Sequence, residues 1–218
     1  MKRTYEILLV VLLLVMGLML RLYDLTDPPI DFHSTRQLRG AIIARGMYYD
    51  MLPNPDPVLR EQAIAFWGST GQYEPSILEK ITAYSYLLMR EENWWIARII
   101  NSLFWIVGGI ALYGLARRAA SFTSALFALA YYVVLPFGVQ ASRSFQPDPG
   151  MFMWIILTIY FLYLSSEKPG WKWAVIAGLI GGMAILTKVI AVYIVGGAAI
   201  ALVLYTLGIK RIWRNMQV

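Results

Sequence analysis

Ile7-Leu-Leu-Val-Val-Leu-Leu-Leu-Val-Met-Gly-Leu-Met-Leu20 is a run of 14 uncharged residues that closely follows Lys2 and Arg3. A secretory signal would end in a small-residue cleavage site. The chain instead continues Arg21-Leu-Tyr-Asp-Leu-Thr-Asp-Pro-Pro29, so we read an uncleaved first span over Tyr5–Tyr23. Further uncharged runs are Ile99–Ala116, Ala119–Ser142, Pro149–Ser166, Trp173–Thr187 and Val189–Ile209. A helix needs roughly 17–25 apolar residues to cross the hydrocarbon core. Trp173–Thr187 is short and spans if Lys172 and Lys188 extend to opposite interfaces. The chain is 59% hydrophobic with a mean hydropathy of +0.58, against about 45–50% apolar residues in soluble domains. We therefore expect an all-α polytopic membrane protein of about six transmembrane helices.

Charge position supports this count. With a cytoplasmic N-terminus, six spans put Lys2/Arg3, Arg117/Arg118, Lys168/Lys172 and Lys210/Arg211/Arg214 on the cytoplasmic side, where Lys and Arg concentrate. All acidic residues but Glu6 and Glu167 fall on the other side. Topology thus accounts for the net charge of +6 without nucleic acid. There is no cysteine and one histidine, which excludes disulfides, thiolate chemistry and a closed structural zinc site.

Residues 24–93 become the first exoplasmic loop. Two interfacial helices are expected in it. One spans about Thr35–Tyr49, opened by a Ser34/Gln37 capping box, with Leu38, Ala41, Ile42 and Tyr49 near one face. The other spans about Pro75–Met89, with proline in its first turn. Pro53, Pro55 and Pro57 break helix between them. Trp67, Tyr73, Tyr84, Tyr86, Trp94 and Trp95 suit an interfacial aromatic belt.

The candidate chemistry lies on the exoplasmic side. Asp31-Phe-His-Ser-Thr-Arg-Gln37 holds an aspartate, the sole histidine and Arg36 just before a helix start, a place that favours anions. Asp31 is either a proton acceptor or an ordinary helix-start residue, and His33 either a reactive group or an interfacial polar one. Arg143-Ser-Phe-Gln-Pro-Asp148-Pro is either a second acidic site or a turn. Arg98 and Lys188 are charges at span ends, functional by default in a membrane unless they reach out to the interface. Glu74 adds an exoplasmic carboxylate. Carboxylates and cations gathered at one membrane face suit a substrate carrying phosphate and hydroxyls. A transporter is disfavoured, because no charge lies near the middle of a run and no inverted repeat is present.

The ordered set of motifs resembles the N-terminal half of a GT-C glycosyltransferase of family 39, the protein O-mannosyltransferase and aminoarabinose transferase group. Four pieces carry the resemblance: Asp31 with Ala41-Ile-Ile-Ala-Arg-Gly-Met47; Trp95-Ile-Ala-Arg98 through Ala111-Leu-Tyr-Gly-Leu-Ala-Arg-Arg118; Ser142-Arg143 with Pro147-Asp148-Pro149; and Gly178-Leu-Ile-Gly-Gly-Met-Ala-Ile-Leu-Thr-Lys188. The resemblance implies one GT-C-like domain over residues 1–218, in the cell membrane. It implies inverting transfer of a sugar from a polyprenyl-phosphate donor to a hydroxyl on an acceptor protein or glycolipid. Asp31 would be the general base, Arg36, Arg98, Arg143 and Lys188 would hold the donor phosphate, and Asp148 and Glu74 would form a second acidic site. Asp148 is where some GT-C enzymes approach a divalent metal ion. Where relatives carry Asp-Glu this chain has Asp31-Phe32-His33. Family members are usually longer, so the expectation is an incomplete domain: a fragment, a truncated gene product, or half of a split enzyme whose missing C-terminal half a second chain supplies. The alternative is a non-catalytic component, or half of a split enzyme, that binds lipid carrier or partner.

Overall fold

The computed structural model describes residues 2–168 and 170–207. The Lys210/Arg211/Arg214 cluster and the Arg214–Val218 tail lie outside the described residues, as do the side chains of Lys2 and Arg3. The described chain is all-α: α1 Lys2–Leu22, α2 Ser34–Met51, α3 Pro57–Ser69, α4 Ile77–Met89, α5 Trp95–Ala119, α6 Phe122–Val134, α7 Pro136–Ser142, α8 Asp148–Glu167, α9 Lys172–Thr187 and α10 Ala191–Leu207. By length and composition α1, α5 and α8 are long and apolar enough to cross a membrane, and the bent α6–α7 pair passes the same test only when its two helices are taken together, which gives three to four candidate spans. α9 and α10 are shorter apolar helices, so length alone does not give the count of six. The protein is a multi-pass membrane protein.

The run Ala119–Ser142 is not one straight span. It bends by 60° between α6 and α7. The cause is Pro136, which has no N–H to offer the carbonyl four residues back and whose ring crowds the preceding turn. Bare carbonyls at membrane depth are costly. Here side chains meet them: Trp105 Nε1 donates to the Tyr132 carbonyl at 3.1 Å and Arg21 donates to the Val133 carbonyl at 2.9 Å. Arg21 closes α1, is fully buried, and also donates to Ser142 Oγ and the Gly17 carbonyl, both at 2.6 Å. α1 reaches α6 this closely because position 17 is glycine. A Cβ there would stand 2.7 Å from Val133 Cβ.

The charged ends of the bundle separate cleanly. Arg117 pairs with Glu6 and Arg118 with Glu167 at one end. Asp31–Arg98 and Asp148–Lys188 pair at the other. Lys188, just past α9, meets Asp148 at the start of α8, so these two helices run antiparallel.

Residues 24–93 hold three helices rather than two. Pro57 does not break helix but starts α3 at its first turn, and the Asp56 carboxylate accepts from the N–H groups of Val58 and Leu59 at 2.9 and 3.0 Å. Pro75 precedes α4 rather than lying in its first turn, since Ser76 is the capping residue. The face of α2 that packs is Gln37, Gly40, Ala44 and Tyr48, while Leu38 and Ile42 are exposed. Tyr48, Ala63, Leu78, Ala83, Tyr86, Ile96 and Phe145 form one apolar cluster that docks α2–α4 on the start of α5 and the loop before α8. Tyr86 therefore belongs to a core, whereas Tyr73, Tyr84 and Trp94 are exposed.

Candidate active site

The loop from Asp24 to His33 is bracketed by two residues in the left-handed region, Asp24 at φ 47° and His33 at φ 53°. His33 is the residue capping α2, and no side chain caps this helix. The Ser34/Gln37 capping box does not form, because Gln37 is used elsewhere. Its side chain is fully buried. It donates to Asp31 Oδ1 and to the Phe32 carbonyl, both at 2.8 Å, and accepts from the Phe145 N–H at 3.0 Å. One amide thereby ties the aspartate to the loop before α8.

Two buried arginines complete the loop. Arg98, 1% exposed, donates to Asp31 Oδ1 at 3.3 Å and to the carbonyls of Asp24, Leu25 and Pro28 at 3.1–3.4 Å. Arg143 donates to the Asp24 carbonyl at 2.7 Å. The carbonyls that a tight non-helical loop leaves bare are thus paired with cations, as buried backbone groups require. Asn101 holds the other side, donating to the carbonyls of Ser144 and Gln146 at 2.6 and 2.8 Å, and Gln146 donates to the Phe32 carbonyl at 3.2 Å.

The Asp31 carboxylate that results is fixed yet accessible, its side chain 40% exposed. Burial pushes its pKa upward. The hydrogen bonds from Gln37 and the Phe32 backbone, with the Arg98 charge, outweigh burial and hold it below the usual carboxylate value. It is ionised at neutral pH. Both Gln37 and Arg98 meet Oδ1. His33 is exposed, with its ring edge-on to Phe32 at 4.5 Å.

The site residues read from the sequence fall into three groups rather than one. Asp31, Arg98 and Arg143 form the first. Asp148 and Lys188 form the second, with Lys188 Nζ 2.9 Å from Asp148 Oδ1. Asp148 also borders an apolar cavity of about 260 Å³ under the α6–α7 bend, lined by Trp105, Tyr132, Leu135, Phe137 and Phe152. The Phe32 ring touches Phe137 at 5.5 Å, so this cavity lies next to the Asp31 loop. Arg36 and Glu74 form the third group, in a polar cavity of about 390 Å³ shared with Arg39 and Glu79. Asp148 Oδ1 meets the Lys188 ammonium while Oδ2 is buried without a partner, and no group of three His, Asp or Glu side chains placed to hold a metal ion occurs among the described residues.

A family profile described as dolichyl-phosphate-mannose-protein mannosyltransferase matches residues 75–218, well over half of the chain. The chain belongs to this family. Membership points to a membrane glycosyltransferase of the mannosyltransferase type, with a lipid-linked sugar donor. The matched region contains Arg98, Arg143, Asp148 and Lys188, and begins after Asp31, His33, Arg36 and Glu74. No curated protein and no solved structure matches the chain.

Arg21, Gln37, Asn101 and Gln146 were not foreseen as site residues. Arg21 is the next-to-last residue of α1 and follows an uncharged run, where a buried cation is a signal in itself. The three amides carry no local signal. Their partners are up to 114 positions away.

Proposed function

We propose that this chain transfers a sugar from a polyprenyl-phosphate donor to an acceptor hydroxyl at the exoplasmic membrane face, inverting the anomeric centre. Asp31 is the general base. The acceptor oxygen attacks the anomeric carbon, the carbon–oxygen bond to phosphate breaks, polyprenyl phosphate leaves with the electron pair, and the hydroxyl proton passes to Asp31. The observation that carries this reading is the Asp31 carboxylate, held at one oxygen by Gln37 and Arg98 and open to solvent. A base held below its ordinary pKa is ready at neutral pH but weakly basic. The proton therefore moves late, as bond breaking makes the hydroxyl acidic.

The leaving phosphate needs positive charge. Lys188 is the cation best able to touch it, sharing itself between Asp148 and a phosphate oxygen beside the apolar cavity, which suits the isoprenoid chain. Arg98 and Arg143 act differently. Their contacts are with backbone carbonyls and Asp31, so they shape the loop and contribute field without contact.

The test is Asp31→Asn in an assay with a polyprenyl-phosphate sugar. General-base removal costs roughly 10²–10⁴-fold in turnover, and membrane insertion is expected to be unchanged. Wild-type turnover by the variant would overturn the assignment.

A further inference from the structure

The polar cavity between α2, α4 and the loop segments 73–76 and 145–147 has no task in the reading above. At about 390 Å³ it falls within the usual range for small-ligand sites, roughly 300–1,000 Å³. Arg36, Arg39, Glu74 and Glu79 line it, and none of the six ion pairs among the described residues uses any of them. Arg39 Nε is buried with no hydrogen-bond partner, and its guanidinium rests over the Tyr73 ring at 4.2 Å. Burial pushes the Glu79 carboxyl above its usual range; its own backbone N–H and Arg39 oppose that shift and Glu74 adds to it.

Arg36 is exposed, whereas Arg39, Glu74 and Glu79 are half-buried, and a partly desolvated charge without a close ionic partner is costly. Two of each sign in one cavity define what would relieve that cost. A phosphorylated headgroup would gain at the arginines and lose at the glutamates. A neutral sugar would leave all four charges unpaired. A ligand with one negative and one positive group satisfies both pairs. The lining comes only from α2, α4 and loops, and from none of α1, α5, α6, α8, α9 or α10, so the cavity lies outside the bundle of apolar helices, with the exposed Tyr73 in its wall. Phe145, in the cavity wall, donates to Gln37, which donates to Asp31. The cavity and the base thus share a wall.

We propose that this cavity is a charge-selective acceptor subsite. It takes a polypeptide segment with an acidic and a basic side chain flanking the acceptor hydroxyl, the acid on Arg36 and Arg39 and the base on Glu74 and Glu79. This rests on the reading of Asp31 as the base.

The test uses the full chain in lipid nanodiscs and synthetic hydroxyl peptides alike except for their flanks: acid plus base, two acids, two bases, or neutral. The peptide with both charges is expected to have a KM roughly tenfold below the neutral one, the effect of one charge-assisted hydrogen bond. Equilibrium binding of the fluorescent peptides without donor is expected to follow the same order, and does not depend on turnover. Arg39→Gln should remove the advantage of the acidic flank and Glu79→Gln that of the basic flank. The peptide series on the unsubstituted protein stands even if a variant misfolds. Equal KM and equal binding across the four peptides would overturn the subsite. Loss of turnover in Asp31→Asn without peptide discrimination sinks the subsite alone, whereas full turnover in Asp31→Asn sinks the reading beneath it.

Discussion

Replacing Gln37 by leucine roughly preserves volume and deletes three hydrogen bonds. The Phe145 N–H, in a residue 1% exposed, is left buried without an acceptor, which costs about 1–3 kcal/mol. Loss of the bond to the Asp31 carboxylate costs about 1.5–3 kcal/mol where the charge is desolvated. Asp31 is 40% exposed, so water replaces part of it and the lower end applies. The Phe32 carbonyl keeps Gln146 as a donor. The two losses share one side chain and do not simply add, giving a destabilisation of about 3 kcal/mol at neutral pH. The pH dependence has a definite sign. Because the folded Asp31 pKa is lowered, its stabilising contribution is present above the unfolded value and lost as pH falls through the folded one. Gln37 supplies part of that lowering. The gap between wild type and Gln37→Leu should therefore narrow on acidification, leaving the Phe145 share. Denaturant unfolding in micelles, followed by tryptophan fluorescence at several pH values, measures this. A loss below about 0.5 kcal/mol, the scale of ordinary surface substitutions, or a gap that widens toward acid, would refute the reasoning.

Gly46 lies against Trp67, and a Cβ there would collide with the indole side chain. Gly46→Ala is expected to cost about 1–3 kcal/mol by overpacking the α2–α3 contact, measurable in the same unfolding assay. The Asp148–Lys188 pair joins the start of α8 to the end of α9 and is only partly exposed. A double-mutant cycle of Asp148→Asn and Lys188→Met should give a coupling of about 1 kcal/mol or somewhat more, between surface and buried pairs; no coupling would mean the two charges are independently solvated.

The membrane helices were legible because lipid asks only for length and apolarity, and α1, α5 and α8 carry both in uninterrupted runs. The same criterion hid the bend after Val134, since Pro136 is uncharged and a hydropathy run passes straight over it. α3 was hidden by reading its prolines as breakers, although Asp56-Pro57 is the signature of a helix start. The capping box failed for a different reason. Ser34 and Gln37 have the right spacing, but a local rule takes no account of Phe145, 108 positions away, which claims the Gln37 oxygen. Grouping by membrane face brought Asp31 and Arg98 together correctly. It also merged Arg36 and Glu74 with them, because a face is a plane and carries no information about which cavity within it a side chain lines.

The bend between α6 and α7 has a consequence for how the chain is made. Arg21 and Trp105, which meet the carbonyls near Pro136, both precede it in the chain. Synthesis from the N-terminus delivers α1 and α5 to the bilayer before α6, so the donors are in place when the broken span arrives. A permuted gene that emits α1 last would send the Val133 carbonyl into lipid ahead of Arg21, at several kcal/mol, while Trp105 would still meet the Tyr132 carbonyl. The order of the helices is in this sense part of the instructions for assembly.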